Sequence, residues 1–411
     1  MSLIKLRAIL RTVGFGLLSG ALILAAGCGD AGSGSSQANA SNTALSTPDS
    51  ASSTPEDPSS APTTESSSAP LTAVSERITL TTDNTLFFGR VSPEEKMTAL
   101  EWTNTGFALR FRGTGIQVML GTNERDFSVL PAVTVSIDGG EAERLSISGT
   151  KLHTLAEGLD AGEHTLEVRK ITEVTANPLY VSYVQITADG AQDAPELLSP
   201  PEAPSRRIEF IGDSITCGYG NLGKSTSNRF LTEEQDGSQT YAALTAAAFG
   251  ADAHYECYSG KGIVRNVNGD SDELLPVLFG FRSPTQRTAW DFSAWTPDLV
   301  VINAGTNDTY GGADQNSLRQ GVTSFLADIR SRYPNATLLW CYGMMDGSMT
   351  QTIRQGVETF SATDGNTYFL AFEGMKAGEK GSVGHPNLKA HERCAEVLIA
   401  RVQEITGWDA T

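Results

Sequence analysis

Ser214 follows an apolar run, residues 208–211, that is broken by Gly212 and Asp213, and His385 stands far downstream in Gly384-His385-Pro386-Asn387, just ahead of a helical pattern. A serine hydroxyl is a poor nucleophile at neutral pH unless a base removes its proton, and histidine is the side chain whose ordinary pKa suits that task. Serine first and histidine last is a chain order used by hydrolases built on the edge of a sheet. The pair points to attack on a carbonyl carbon, with His385 taking the hydroxyl proton and returning it to a leaving alcohol. Other histidines are worse placed: His254 opens a strand candidate, His391 falls inside the last helical pattern, and His153 and His164 lie in turn-flanked strands.

Such a pair needs a scaffold that brings distant residues to one edge. After residue 206 the chain alternates short apolar runs (208–211, 254–258, 299–303, 337–342 and a shorter 367–370) with apolar residues at helical spacing (241–249, 318–333, 388–405). Strand followed by helix, repeated, predicts a parallel sheet with helices on both faces, a three-layer α/β/α domain whose chemistry sits at the carboxyl ends of the strands. The turns after the first three strands carry Gly212-Asp213-Ser214, Ser259-Gly260-Lys261-Gly262 and Gly305-Thr306-Asn307-Asp308. Asp213 and Asp308 read as turn-holding residues rather than catalytic acids.

These blocks, with the late His385-Pro386-Asn387, resemble the SGNH (GDSL-type) hydrolase superfamily. The resemblance implies an oxyanion hole formed by the backbone N–H of Ser214, the backbone N–H of Gly260 and the side-chain amide of Asn307. That superfamily usually carries an aspartate three residues before the histidine; here the position is Ser382. A backbone carbonyl, that of Gly384 or a neighbour, could orient the ring instead, and Glu379 is a further candidate.

The segment before this domain, residues 77–188, has short alternating runs bounded by Gly, Asp and Asn, such as Ala108-Leu109-Arg110-Phe111 and Ile116-Gln117-Val118-Met119-Leu120. Period-two alternation of this kind predicts an antiparallel β-sandwich of jelly-roll type. A Pro-rich stretch, 189–206, reads as the linker, and the hydrolase-like domain as 207–411. The sandwich ending in Val168-Arg169-Lys170-Ile171-Thr172-Glu173, followed by the GDSITCGYGN, SGKGIVRN, GTND and HPN blocks, looks like carbohydrate esterase family 2 across residues 77–408. The resemblance implies removal of acetyl groups from polysaccharides such as xylan and mannan through an acyl-enzyme, by a Ser–His dyad whose histidine is held by a backbone carbonyl. It implies an acetylated polysaccharide as partner and no cofactor or metal.

Aromatic platforms around the serine would bind sugar; Tyr310, Trp290 and Trp295 are the main candidates, with Tyr219 a further one and Trp340 expected in the core. In the sandwich, Trp102, Tyr180 and Tyr183 are read as core or as sugar-stacking side chains. Polar, Gly-rich loops at 221–238 and 311–315 favour a small acyl group. The rival readings are an esterase for lipid or bacterial surface-glycan esters, and a non-catalytic glycan-binding protein.

The whole chain has 411 residues, 19% of them charged, and a net charge of -18, which argues against a nucleic-acid partner. Lys5, Arg7 and Arg11 precede an apolar stretch at 13–26 that is short for a membrane span and suits an export signal. It ends Leu24-Ala25-Ala26-Gly27-Cys28, similar to a bacterial lipobox, so that residues 1–28 are expected to direct export and Cys28 to carry a lipid anchoring an otherwise monomeric, extracytoplasmic protein to a membrane; simple secretion after a small-residue cleavage site is the alternative. Residues 29–76 are Ser, Thr, Ala and Pro with a few acids, a composition expected to remain a disordered tether. Cys217 with Cys257, and Cys341 with Cys394, are possible bridges; buried free thiols are the alternative.

Overall fold

The computed structural model describes residues 72–93, 96–123, 129–190 and 194–411. The export signal, Cys28 and nearly all of the tether lie outside these residues.

The amino-terminal part is a sandwich of two antiparallel sheets. In one sheet Gly115–Thr122 lies between Thr150–Ala156 and Leu179–Asp189; in the other Gly106–Gly113 pairs with Gly162–Lys170, which pairs with Ala132–Ile137. The alternation sets which side chains turn inward: Phe107, Leu109 and Phe111 from one sheet meet Val118, Leu120 and Ile186 from the other in a common core. Ordered pairing begins before the expected boundary, since Thr72–Val74 adds to Leu179–Asp189. It also ends later, because Glu196–Leu197, inside the Pro-rich stretch, pairs with Phe111 and Arg112. Trp102 is core, its indole N–H donating to the Arg282 carbonyl at 3.0 Å. Tyr180 lines an outer groove of about 310 Å³, and Tyr183 lies beneath the Arg77 guanidinium.

The second part is a parallel sheet of five strands, β1 (Arg207–Gly212), β2 (Asp252–Cys257), β3 (Leu299–Asn303), β4 (Thr337–Tyr342) and β5 (Thr367–Ala371), in the order β2-β1-β3-β4-β5. Register matters most for function. Gly212 pairs with both Cys257 and Asn303, so β1, β2 and β3 end level and release their following loops at one edge. Six helices matter here: α1 (Ser214–Cys217), α2 (Tyr241–Ala248), α3 (Thr306–Tyr310), α4 (Gln315–Arg332), α5 (Thr350–Ser361) and α6 (Leu388–Thr406). Leu318, Val322 and Leu326 of α4 and Ile353 and Val357 of α5 pack on Val300, Ile302 and Trp340. On the other face Tyr241 of α2 meets Phe210 edge-on and lies parallel to His391 of α6. Among the described residues no helix is long and apolar enough to cross a membrane.

Helix α5 is absent from the sequence reading. It offers few large apolar residues and holds Gly356, where a β-carbon would stand 2.9 Å from the Arg319 carbonyl and from Val322. Its glycine is the cost of letting α4 and α5 approach closely, and the same glycine weakens the helical signal.

Arg90, from the loop after Leu86–Phe88 of the sandwich, is fully buried against the second domain. Its guanidinium lies 2.6 Å from Glu209 of β1 and 3.1 Å from Glu256 of β2, and it donates to the Phe279 and Phe281 carbonyls. Burial opposes the charge of Arg90, but the two carboxylates outweigh it and hold the pKa above its ordinary value. Glu209, His254 and Glu256 bring ligand atoms within 4.8 Å of one another, a clustering of metal-ligand types that linear spacing concealed. Arg90 already supplies positive charge to both carboxylates there.

Candidate active site

Ser214 is placed by a sharp change from strand to helix. Gly212 ends β1 where a β-carbon would come within 2.1 Å of Thr216 Oγ1, so the turn tolerates no side chain at that position. Asp213 caps α1, its Oδ1 accepting the Ile215 N–H at 3.0 Å, and Ser214 is the first residue of that helix. Burial, with nearby Asp308 adding to it, pushes the Asp213 carboxyl up to about 7.

His385 reaches the same place from the turn ahead of α6. Its Nε2 is 2.9 Å from Ser214 Oγ and its Nδ1 is 3.2 Å from the carbonyl oxygen of Val383. A carbonyl only accepts, so Nδ1 carries the ring proton and Nε2 presents a lone pair to the serine hydroxyl. Burial pulls the His385 pKa down from 6.5 to about 4, with the Val383 and Ser382 carbonyls opposing it, so the ring is neutral at physiological pH. The carbonyl that faces Nδ1 thus belongs to Val383, not Gly384. Val383 adopts φ 51° and ψ 28°, a left-handed conformation that is costly for a β-branched residue. Glu379 is engaged elsewhere, pairing with Arg393 at 2.7 and 2.9 Å. The Ser382 side chain turns toward the Gly220 carbonyl, away from the ring.

The loop after β2 and the start of α3 close the site. Gly260 has φ +80°, a left-handed conformation that favours glycine, and its carbonyl accepts the Val267 N–H at 2.9 Å. Among the described residues the backbone N–H groups of Ser214 and Gly260 have no hydrogen-bond acceptor in the protein. Asn307 lies in the same cleft, its amide donating to the Lys261 carbonyl at 2.9 Å and, more weakly, to Asp213 at 3.3 Å. Asp308 holds the loop from behind, accepting the N–H groups of Ile263, Val264 and Arg265 at 2.8, 2.7 and 2.9 Å.

The cleft has a volume of about 630 Å³ and brings together Ser214, Asn307, Tyr310 and His385, with Val267 and Val383 on its walls. Tyr310 is 56% exposed there. Tyr219 stacks on Phe230 and lies 4.5 Å from the His385 ring. Trp290 and Trp295 are not in this cleft, which corrects their assignment to sugar binding. Trp295 stacks on His254 at 3.6 Å and donates to Asp252, the first residue of β2, at the opposite end of the sheet. Trp290 lies over the Arg90 guanidinium in the interface between the domains. Trp340 is core, bonded to the Ala304 carbonyl. Cys217, Cys257, Cys341 and Cys394 are buried free thiols.

One contact had no counterpart in the sequence reading. Glu173, at the end of the Lys170-Ile171-Thr172-Glu173 run of the sandwich, accepts the N–H of Ser259 at 3.0 Å and its hydroxyl at 2.7 Å. In the sequence that run belongs to the family pattern but carries no sign of its partner.

The profile of the family described as Carbohydrate esterase 2 N-terminal matches residues 87–201, and that of the GDSL-like Lipase/Acylhydrolase family matches residues 210–393. The chain is 30% identical over 321 residues to a cellulase/esterase, CelE, of Acetivibrio thermocellus, covering 75% of this chain and 38% of that relative's length. It is 28% identical over 255 residues to an acetylxylan esterase / glucomannan deacetylase of Cellvibrio japonicus, covering 61% of this chain and 69% of the relative. A solved family two carbohydrate esterase from Clostridium thermocellum, in complex with cellohexaose, superposes with a TM-score of 0.73 at 28% identity, over 79% of this chain and 99% of that one. Both domains are therefore matched, in the same order and along the same residues, and the chain belongs to carbohydrate esterase family 2 within the SGNH (GDSL-type) hydrolase superfamily.

Proposed function

We propose that this protein removes O-acetyl groups from polysaccharides of the xylan or mannan type by a Ser214–His385 mechanism. The observation that carries the reading is the 2.9 Å contact between Ser214 Oγ and His385 Nε2; the backbone N–H groups of Ser214 and Gly260, which have no acceptor among the described residues, support an oxyanion hole. Ser214 Oγ attacks the acetyl carbonyl carbon while its proton passes to Nε2. The tetrahedral oxyanion is received by the N–H groups of Ser214 and Gly260 and by Asn307, whose longer bond to Asp213 is the one to exchange. The imidazolium then protonates the departing sugar oxygen, leaving acetyl on Ser214. Water, deprotonated by His385, releases acetate and restores the serine. The names of the relatives, an acetylxylan esterase / glucomannan deacetylase among them, support the substrate class. Enzymatic determination of acetate released from acetylated xylan and acetylated glucomannan tests it; no acetate from either would overturn the reading.

The base must be neutral to act, so activity is lost as pH falls through the His385 pKa. kcat/KM for 4-nitrophenyl acetate is expected to hold steady below 6.5 and to fall with an acid limb near pH 4. An acid limb at the ordinary histidine value would show that the acting base is not this buried ring.

Acyl size is expected to be set by Val267. Its exposed side chain lines the cleft that holds Ser214 and His385, so an acyl group on the serine is expected to meet it. One methylene in an apolar pocket discriminates by roughly 10-fold or more. Val267→Ala should therefore raise the butyryl-to-acetyl ratio of kcat/KM by about tenfold, measured with 4-nitrophenyl esters; an unchanged ratio would remove Val267 from the acyl site.

The amino-terminal pattern supports an extracytoplasmic enzyme tethered through Cys28. Cys28→Ala is expected to shift the protein from the membrane to the soluble fraction, and unchanged membrane retention would contradict lipid attachment at that residue.

A further inference from the structure

We infer that Glu173 is a positioning residue for the oxyanion hole, so that the sandwich domain forms part of the catalytic apparatus rather than an appendage to it. The inference rests on the reading of the Gly260 N–H as an oxyanion donor. Ser259 is the residue immediately before Gly260, and the peptide between them carries that N–H. Both polar hydrogens of Ser259 that could fix this peptide, the backbone N–H and the hydroxyl, end on the Glu173 carboxylate at 3.0 and 2.7 Å.

The carboxylate is fully buried and is itself braced. Lys170 Nζ donates to the carbonyls of Glu101, Thr172 and Glu173, which fixes the backbone from which Glu173 projects. Gln235 of the second domain donates to Glu173 Oε1 at 3.5 Å and to the Cys217 carbonyl of α1 at 3.2 Å, tying the same group to the helix that begins with Ser214. The oxyanion loop is thus held at two places by two carboxylates. Asp308 grips residues 263–265 from within the hydrolase domain, and Glu173 grips Ser259 from the sandwich. A hydrogen-bond donor stabilises an oxyanion only if it is fixed before the charge appears, and displacements of about 1 Å are enough to cost roughly 100-fold in rate.

Glu101 provides an internal control. It is another buried sandwich carboxylate that accepts bonds from the second domain, from the hydroxyls of Ser283 and Thr285 and the N–H of Thr285, but its partners belong to a hairpin with no part in the cleft. Glutamine at position 173 keeps one acceptor and turns an NH2 toward the second donor of Ser259. With 4-nitrophenyl acetate, Glu173→Gln is expected to lower kcat by about 10- to 100-fold with KM within about twofold. Glu101→Gln is expected to lower the melting temperature without lowering kcat. Ser259→Ala, which retains the backbone N–H and deletes the hydroxyl, should lower kcat several-fold. The double variant Glu173→Gln/Ser259→Ala should lose less than the product of the single losses, because both act through one contact. Equal kcat in the wild type and Glu173→Gln, or equal losses in Glu173→Gln and Glu101→Gln, would reduce Glu173 to interface packing and overturn the inference while leaving the esterase reading intact. A wild type without esterase activity would overturn both. Should Glu173→Gln fail to fold, an unchanged kcat in Ser259→Ala overturns the inference by itself.

Discussion

Ser214→Ala is expected to lower kcat/KM for acetate release by at least about 10⁴-fold while leaving the fold intact, since alanine removes one oxygen from a buried position and adds nothing. The size of the effect follows from the geometry. Among the described residues no second hydroxyl stands at Nε2 of His385, which faces Ser214 Oγ and no other protein atom within hydrogen-bond distance. His385→Ala is expected to cost a similar factor, because a serine without a base is almost wholly protonated at neutral pH. The two losses should not multiply: the pair acts as one unit, and the double variant should retain about the activity of either single variant. That residual rate is expected to measure what the proposed oxyanion donors, the N–H groups of Ser214 and Gly260, achieve without a nucleophile. Losses that multiplied in the double variant would mean that the two residues act in separate steps.

The second large effect is on stability. Arg90→Ala is expected to lower the free energy of unfolding by about 3–5 kcal/mol, because it leaves Glu209 and Glu256 buried without their cation. Glu256 is already pushed well above the ordinary carboxylate pKa by burial, with Arg90 acting to hold it down. Loss of Arg90 therefore favours a protonated Glu256 and should make the variant relatively more stable as pH falls. Denaturant unfolding across pH checks both points. Replacing the whole set, Arg90→Met with Glu209→Gln and Glu256→Gln, should recover much of the loss, since exchanging a complete buried ionic cluster for neutral groups is often close to neutral. An Arg90→Ala protein as stable as wild type would mean that water reaches this interface and solvates the carboxylates.

The hydrolase domain was largely legible because its strands are short, apolar and separated by turns whose residues have chemical reasons to be there. Gly212-Asp213-Ser214 reads as a turn that presents a serine hydroxyl at the carboxyl end of a strand, and the structure has that turn capping a helix with Asp213. Candidate strand 299–303 coincides with β3, and 337–342 with β4. What stayed hidden depends on contacts between distant segments. No spacing rule joins Glu173 to Ser259, or Arg90 to Glu209 and Glu256, because each link crosses from one domain to the other. Trp290 and Trp295 went astray for a related reason. An aromatic residue in a polar loop reads as a sugar platform, and only the fold reveals that the loop returns to the amino-terminal edge of the sheet, where Trp295 covers His254. The identity of the carbonyl facing His385 turned on one residue of register, and Val383 holds it through a backbone conformation that its side chain disfavours.

The measurement that tests the central claim most directly is trapping of the acyl-enzyme. Wild type and Ser214→Ala, mixed rapidly with 4-nitrophenyl acetate and quenched in acid, can be compared by intact mass and by peptide mapping. The account predicts a mass increase of one acetyl group on wild type, located at Ser214 and accompanied by a burst of 4-nitrophenol, with neither in Ser214→Ala. Turnover by wild type with no acetylated peptide and no burst, or an acetyl group at another residue in the alanine variant at wild-type rate, would contradict it.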